Sequence, residues 1–203
     1  LGSTAFSARL RDATGDLHTR AERSGFVADM LRGRAGRAGY ALLLRNLLPV
    51  YRAIEDGLTR QTAVLRPFAR PELYRARRIE ADLMALCGQE WPSLLPAGAR
   101  YAARAARAAN GDGTLLIAHA YVRTLGDLSG GQMLGRMLAR TLALPPEALN
   151  FYDFSAVADI PATKAAWRSA LDAVAAPERL LHEARVGFRL NIALSEAVRD
   201  TVR

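Results

Sequence analysis

The 203-residue chain has one cysteine, Cys87, and three histidines, His18, His119 and His182. A lone cysteine permits no internal disulfide and fits a reducing compartment. Zinc usually takes three or four protein ligands, and no second histidine or cysteine stands at ligand spacing from any of these, so a zinc site is not expected. No apolar run reaches the roughly 18 residues that span a bilayer, and Leu1 to Leu10 lack the basic-then-apolar pattern of a secretion signal. No internal repeat or disordered tract is visible. These absences lead to the expectation of a soluble, cytoplasmic protein with no membrane partner, folded as one domain over residues 1–203.

What is present is helical in character. Half of the residues, 50%, are hydrophobic, enough for a sizeable core. Alanine, leucine and arginine dominate, and glycine and proline cluster between long periodic runs, the pattern of an all-α fold. The spacing predicts a first helix to about Arg23, capped by Ser3 or Thr4, and a short one over Phe26–Arg32. A long helix follows over Ala38–Arg60, bent at Pro49. Further helices are expected over Glu72–Leu86, Ala99–Ala109, Thr114–Leu142, Ala162–Ala175 and Pro177–Val202. The net charge of +8 suggests an acidic partner: nucleic acid, an acidic redox protein or a small anionic ligand. Solvated faces of arginine-rich helices explain the same charge. No basic helix with interleaved aromatics stands out, so nucleic acid is not an expected partner.

The most informative stretch is Tyr121-Val122-Arg123-Thr124-Leu125-Gly126-Asp127-Leu128-Ser129-Gly130-Gly131-Gln132. Apolar residues recur before, through and after it at helical spacing, which reads as one long helix, yet Gly126, Gly130, Gly131 and Gly135 lie inside that helix. Each interior glycine costs roughly 1 kcal/mol against alanine. Gly126 and Gly130 are one turn apart on one face. With Ser129 they clear a patch where something large and flat can approach the main chain.

Of the histidines, His119 lies in an apolar stretch and reads as a packed core residue, and His182 lies among charges and reads as exposed. His18 precedes Glu22 by one helical turn. A carboxylate there can orient an imidazole and raise its basicity towards a metal; an ordinary surface His–Glu pair has the same spacing. One imidazole makes a poor zinc site but suffices for haem, whose macrocycle supplies four nitrogens. Haem is also flat and apolar, with two anionic propionates.

The run Tyr121 to Gln132 resembles the signature of haem oxygenases. Leu10 to Glu22 is similar to their proximal-helix motif. The similarity continues, in order, through Val50 to Glu55, Ala162 to Arg168 and Phe188 to Asn191, so it spans nearly the whole chain. The resemblance implies a single-domain helical bundle with haem b between a proximal helix and a kinked, glycine-rich distal helix. Haem b is then both substrate and cofactor, cleaved with O2 to biliverdin, carbon monoxide and ferrous iron. Electrons come from an acidic ferredoxin or a flavin/NAD(P)H reductase.

By the same resemblance His18 is the axial ligand of the haem iron and Glu22 its hydrogen-bonding neighbour. Gly126 and Gly130 match the glycines of the distal wall. Asp127, Arg123 and Tyr51 match a network that holds water and delivers protons, and Asn191 matches an outer member of it. Tyr121 and Phe188 are expected against the haem. Arg11, Lys164 and Arg168 match propionate partners, and Trp167 an aromatic neighbour. Lys164 and Arg168 are one turn apart, so their spacing independently allows a shared anion. Gly15 departs from a frequent lysine, Thr124 from a tyrosine, Val122 from a threonine and Ser195 from an aromatic, which bears on how haem is seated. The expected state is a monomer, with a dimer as the other open state. A haem-storage protein of the same fold is the alternative function.

Overall fold

The computed structural model of the protein describes residues 4–60 and 62–203. The expected cap Ser3 lies outside them, and Thr4 does not cap: the first helix, α1 (Phe6–Arg23), starts after Ala5 with no side-chain cap. Helix α1 buries Phe6, Leu10, Thr14, Leu17 and Ala21, a stripe at helical spacing. Ser24, in extended conformation, breaks the chain, and α2 (Gly25–Leu31) follows. The left-handed Gly25 (φ +61°) rests directly on Ser195, leaving no room for a side chain.

Helix α3 (Arg37–Thr59) is the central element. Its residues Gly39 to Leu44 are buried without interruption, and it passes through Pro49 without breaking. It packs against α4 (Ala76–Cys87) and α5 (Pro96–Ala109). Helix α4 begins later than the sequence spacing suggests. Pro71–Leu73 forms a tight 3-10 turn, and the Glu55 carboxylate accepts the backbone N–H groups of Arg75 and Ala76, fixing the start of α4 there. Helix α5 begins earlier than expected because Pro96 occupies its first position, where its preset φ suits a helix and its missing N–H costs nothing.

The glycine-rich stretch runs from α6 (Thr114–Ala120) through two wide π turns, Tyr121–Leu125 and Asp127–Gly131, into α7 (Gln132–Leu142). After 3-10 turns at Pro146–Ala148 and Asn150–Tyr152 come α8 (Ile160–Asp172) and α9 (Pro177–Val202). Asp159 caps α8 by accepting the Ala162 N–H at 2.8 Å. Helix α9 packs along α1, α2, α5 and α6 and closes the bundle.

His119 is a core histidine, as its apolar surroundings suggest. It is fully buried and donates from Nε2 to Glu183 Oε1 at 2.8 Å. Arg104 grips the same carboxylate through Nε at 2.7 Å and through Nη2, tying α5, α6 and α9 together. His182 is exposed. Among the described residues the secondary structure is helical, with no strand, and no helix is long and apolar enough to cross a membrane.

Candidate functional site

A cleft opens between α1 and the glycine-rich helix, with Phe188 of α9 in its wall and α8 at its rim. It has two adjoining lobes, of about 580 Å³ and about 300 Å³, which share His18, Val122, Gly126, Ser129 and Phe188. That is the size range of small-molecule and cofactor sites. The His18 side chain is 51% exposed, so the fold does not consume its imidazole. Its ring meets Phe188 edge-on, with centroids 6.1 Å apart. Nδ1 lies 3.8 Å from Glu22 Oε1. That is too long for a direct hydrogen bond, but it leaves Nε2 as the nitrogen available to a ligand.

The four glycines of the distal helix serve two different faces. A Cβ built on Gly126 or Gly130 meets nothing within 4 Å, so the helix presents bare backbone to open space on the cleft side. Gly131 and Gly135 face the interior, where a Cβ would lie 3.2 Å and 2.9 Å from Tyr152. The winding is also not the regular α-helix the spacing suggests. Two successive π turns widen it over Tyr121–Leu125 and Asp127–Gly131, and such turns bend a helix where they occur.

Asp127 points from this helix into a buried cluster. Arg123 Nη2 donates to Asp127 Oδ1 at 3.1 Å, and the Tyr51 hydroxyl donates to Asp127 Oδ2. Arg123 Nε donates to the Tyr51 hydroxyl at 2.9 Å, and its Nη1 to Asn191 Oδ1 at 2.7 Å. Residues from α3, the distal helix and α9 are thus joined at the wall of the smaller lobe. Burial raises the Asp127 carboxyl above its ordinary range, and the Arg123 charge and the Tyr51 hydrogen bond oppose that rise. Burial lifts the Tyr51 hydroxyl well above its ordinary value. Burial works against the Arg123 cation, but Asp127 and Tyr51 outweigh it and hold the guanidinium charged.

The larger lobe is lined by the cations Arg11, Lys164 and Arg168. Lys164 is the only lysine in the chain. Burial, then the neighbouring Arg168 charge, lowers its pKa. Arg11 lies 3.0 Å from Asp12 and is mostly exposed. Tyr121 meets the Thr14 hydroxyl at 3.4 Å, linking the distal helix to α1 beside the cleft.

The Heme oxygenase family profile matches residues 4–197. The chain belongs to the Heme oxygenase family. Heme oxygenase 1 of Homo sapiens is 34% identical over 206 residues, covering 96% of this chain and 72% of that protein. Heme oxygenase 1 of Nostoc is 34% identical over 202 residues, covering 95% of this chain and 85% of the relative. Among solved structures, heme oxygenase-1 of the cyanobacterium Synechocystis in complex with heme is similar with a TM-score of 0.91 and 31% identity, covering 98% of this chain and 94% of that one. The Leptospira interrogans heme oxygenase has a TM-score of 0.89 and 33% identity over 96% of this chain and all (100%) of the other.

Within this family fold, most of the residues singled out from the sequence meet at the cleft. His18, Arg11, Tyr121, Lys164, Arg168 and Phe188 line the larger lobe, and Glu22, Asp127, Arg123, Gly130 and Asn191 the smaller. Tyr51 lies just behind, bonded to Asp127 and Arg123. Trp167 is not brought there. It is 1% exposed on the core side of α8, edge-on to Phe68 with centroids 5.1 Å apart, because its large apolar ring gains more from the core than from the rim. Gly15 lines the larger lobe with open space above it. Ser195 accepts the Val27 N–H at 3.0 Å and donates to Ser24 O, anchoring α9 to the α1–α2 turn. Sequence reasoning did not mark Thr14 or the apolar lining Met30, Leu43, Leu47 and Phe151 of the smaller lobe. The apolar residues carry only the ordinary signal of core. Thr14 could have been found as the one polar residue on the apolar stripe of α1.

Proposed function

We propose that the protein is a haem oxygenase that binds haem b in this cleft as both substrate and cofactor. The observation that carries the reading is the buried Asp127–Arg123–Tyr51–Asn191 cluster at the cleft wall, beside a helix stripped of side chains at Gly126 and Gly130 and across from His18. The residues present suit the group. One half-exposed imidazole is a sufficient protein ligand for an iron already held by a macrocycle. The open space at Gly126 and Gly130 accepts a flat ring, and three cations line the lobe that would take its carboxylates. When bound, haem supplies the iron and the porphyrin that is opened with O2 to biliverdin, carbon monoxide and ferrous iron.

The chain's own residues do the rest. His18 binds through Nε2, and Glu22 biases Nδ1 to carry the proton. Lys164 and Arg168 orient the ligand by its propionates, with Arg11 at the same mouth. Gly126 and Gly130 bring the distal backbone close to the ring face, leaving no bulky side chain over its centre. Asp127 orders water towards the cleft, through which a proton is delivered, while Arg123 and Tyr51 fix the orientation of its carboxylate. A protein that only stored haem would have no use for this water-ordering cluster. Electrons come from an acidic ferredoxin or a flavin reductase, which the +8 charge suits. The single Cys87 suits a reducing, cytoplasmic setting.

The test is aerobic turnover of the haem-loaded protein with a reductant. Loss of the Soret band with release of biliverdin and carbon monoxide is expected. A haem spectrum that persists unchanged under those conditions supports storage instead.

A further inference from the structure

Helix α4 lines neither lobe of the cleft, yet one face of it grips a turn that does. Arg75, just before α4, stands three residues before Arg78 and seven before Asp82, so the three share that face. All three hold residues 150–154. Asp82 is 0% exposed. Its Oδ1 accepts the backbone N–H of Asn150 at 2.7 Å and the Asn150 side-chain amide at 2.9 Å, and its Oδ2 accepts the Phe151 N–H at 2.8 Å. Arg75 Nη1 donates to Asp153 O at 2.5 Å, and its guanidinium lies 4.4 Å from the centre of the Phe154 ring. Arg78 Nη1 is 2.8 Å from Asp153 Oδ2. A buried carboxylate is costly to desolvate, and the hydrogen bonds that offset that cost here all go to one turn. The turn in its own right faces the cleft: Phe151 and Tyr152 line the smaller lobe. The Phe151 ring is buried, 4.7 Å from Tyr152, and meets the Tyr51 ring edge-on with centroids 5.5 Å apart. Tyr152 in turn fills the space that a Cβ would need at Gly131 and Gly135.

We propose that Asp82 is a positioning residue for the distal wall: by holding the turn at Asn150 and Phe151 it sets the Phe151 ring against Tyr51, and so sets where the Tyr51 hydroxyl meets Asp127. As a statement about turnover this rests on the haem oxygenase reading of the cleft. Hydrogen bonds hold Tyr51 only at its hydroxyl, from Arg123 and to Asp127. A phenol tethered at one end can still tilt, and the edge-on contact of Phe151 fixes the plane of its ring. Arg75 and Arg78 hold the far end of the stretch, at Asp153 and Phe154, so the turn does not hinge away from Tyr51. Burial raises the Asp82 pKa, and the Phe151 and Asn150 hydrogen bonds and the Arg78 charge oppose the rise, so the turn's own N–H groups favour the carboxylate that holds them. Asp82 touches no part of the cleft and acts through Phe151 alone.

Asp82→Asn keeps the size of the side chain but turns one accepting oxygen into a donor, leaving at least one of the three N–H groups facing another N–H. In the haem-free protein, NMR should show through-space contacts between the Phe151 and Tyr51 rings, and Asp82→Asn should lose them. With haem, the affinity of Asp82→Asn should stay within about twofold of wild type, the scatter of independent sites. Its rate of biliverdin formation in one aerobic turnover should fall about tenfold to a hundredfold, the cost of a misplacement of about 1 Å. Phe151→Leu should slow turnover in the same way, and adding Asp82→Asn to it should slow it no further, because the two act through one contact. Ring contacts that survive in Asp82→Asn, a wild-type rate, a haem affinity that falls as far as the rate, or independent effects that multiply in the double variant would each overturn the proposal. Should Asp82→Asn not fold, Asn150→Ala, which removes one of the three bonds, should weaken the same ring contacts, and unchanged contacts overturn the proposal. No biliverdin from the wild-type protein removes the haem oxygenase reading, and the ring contacts in the haem-free protein then decide whether Asp82 sets Tyr51.

Discussion

His18, the proposed axial ligand, is a residue on which the fold does not depend. Its side chain is 51% exposed and its neighbour Glu22 is 3.8 Å away. His18→Ala should therefore leave thermal stability within about 0.5 kcal/mol, the usual range for a surface change. Haem affinity should fall at least about tenfold, since a lost axial bond is worth more than ~1.4 kcal/mol. Added imidazole should restore part of it. A haem titration with the wild-type affinity and absorption spectrum would remove His18 from the role. Tyr51 is the opposite kind of residue. Its buried hydroxyl accepts from Arg123 and donates to Asp127. Tyr51→Phe strips a partner from both, and denaturant unfolding of the haem-free protein should show a loss of about 1–3 kcal/mol.

At the scale of the element, the distal helix carries an instability that has a use. Gly126 and Gly130 could each accept a Cβ without contact within 4 Å. Alanine at either should stabilise the haem-free protein by up to about 1 kcal/mol, a rise in Tm of roughly 2–4 °C, while weakening haem binding. Gly135→Ala should do the reverse to stability, because its Cβ would lie 2.9 Å from that of Tyr152. Calorimetry of the three variants, with and without haem, separates the two faces. Periodicity made the helix and its glycine cost legible, and the one-turn spacing of Gly126 and Gly130 made their shared face legible. It could not say that Gly131 and Gly135 belong to a different face, because that depends on Tyr152 arriving from a distant turn. Nor could it show the two π turns, since a wider turn leaves no mark on which residues are apolar. The start of α4 is hidden from the local sequence for a similar reason. It is set by Glu55, twenty residues upstream of Arg75, and not by any local cap. Lys164 and Arg168, one turn apart, both line the larger lobe, whereas Trp167 between them is turned to the core.

For the whole molecule, two carboxyls give the pH dependence opposite slopes. Burial alone would raise Glu183, but the Arg104 and His119 hydrogen bonds outweigh it and hold the carboxyl at about 2, below its ordinary 4.5. A depressed acid contributes stability that is fully present above pH 4.5 and is lost as pH falls through about 2. Glu55 is raised from 4.5 to about 7, so stability falls as pH rises through that window. Unfolding followed from about pH 2 to pH 8 should show both slopes. Glu183→Gln should remove the acid one and Glu55→Gln the other. The His119–Glu183–Arg104 tie joins α5, α6 and α9 at the base of the distal helix, so its loss in acid should also loosen the cleft.

On the proposed reading, the buried cluster at Asp127 makes this fold an enzyme and not only a holder of haem. The direct measurement is Asp127→Ala, compared with the wild-type protein for haem affinity and for biliverdin yield in one aerobic turnover. Haem should bind with nearly unchanged affinity and biliverdin should be largely lost. Wild-type biliverdin yield from Asp127→Ala would contradict it.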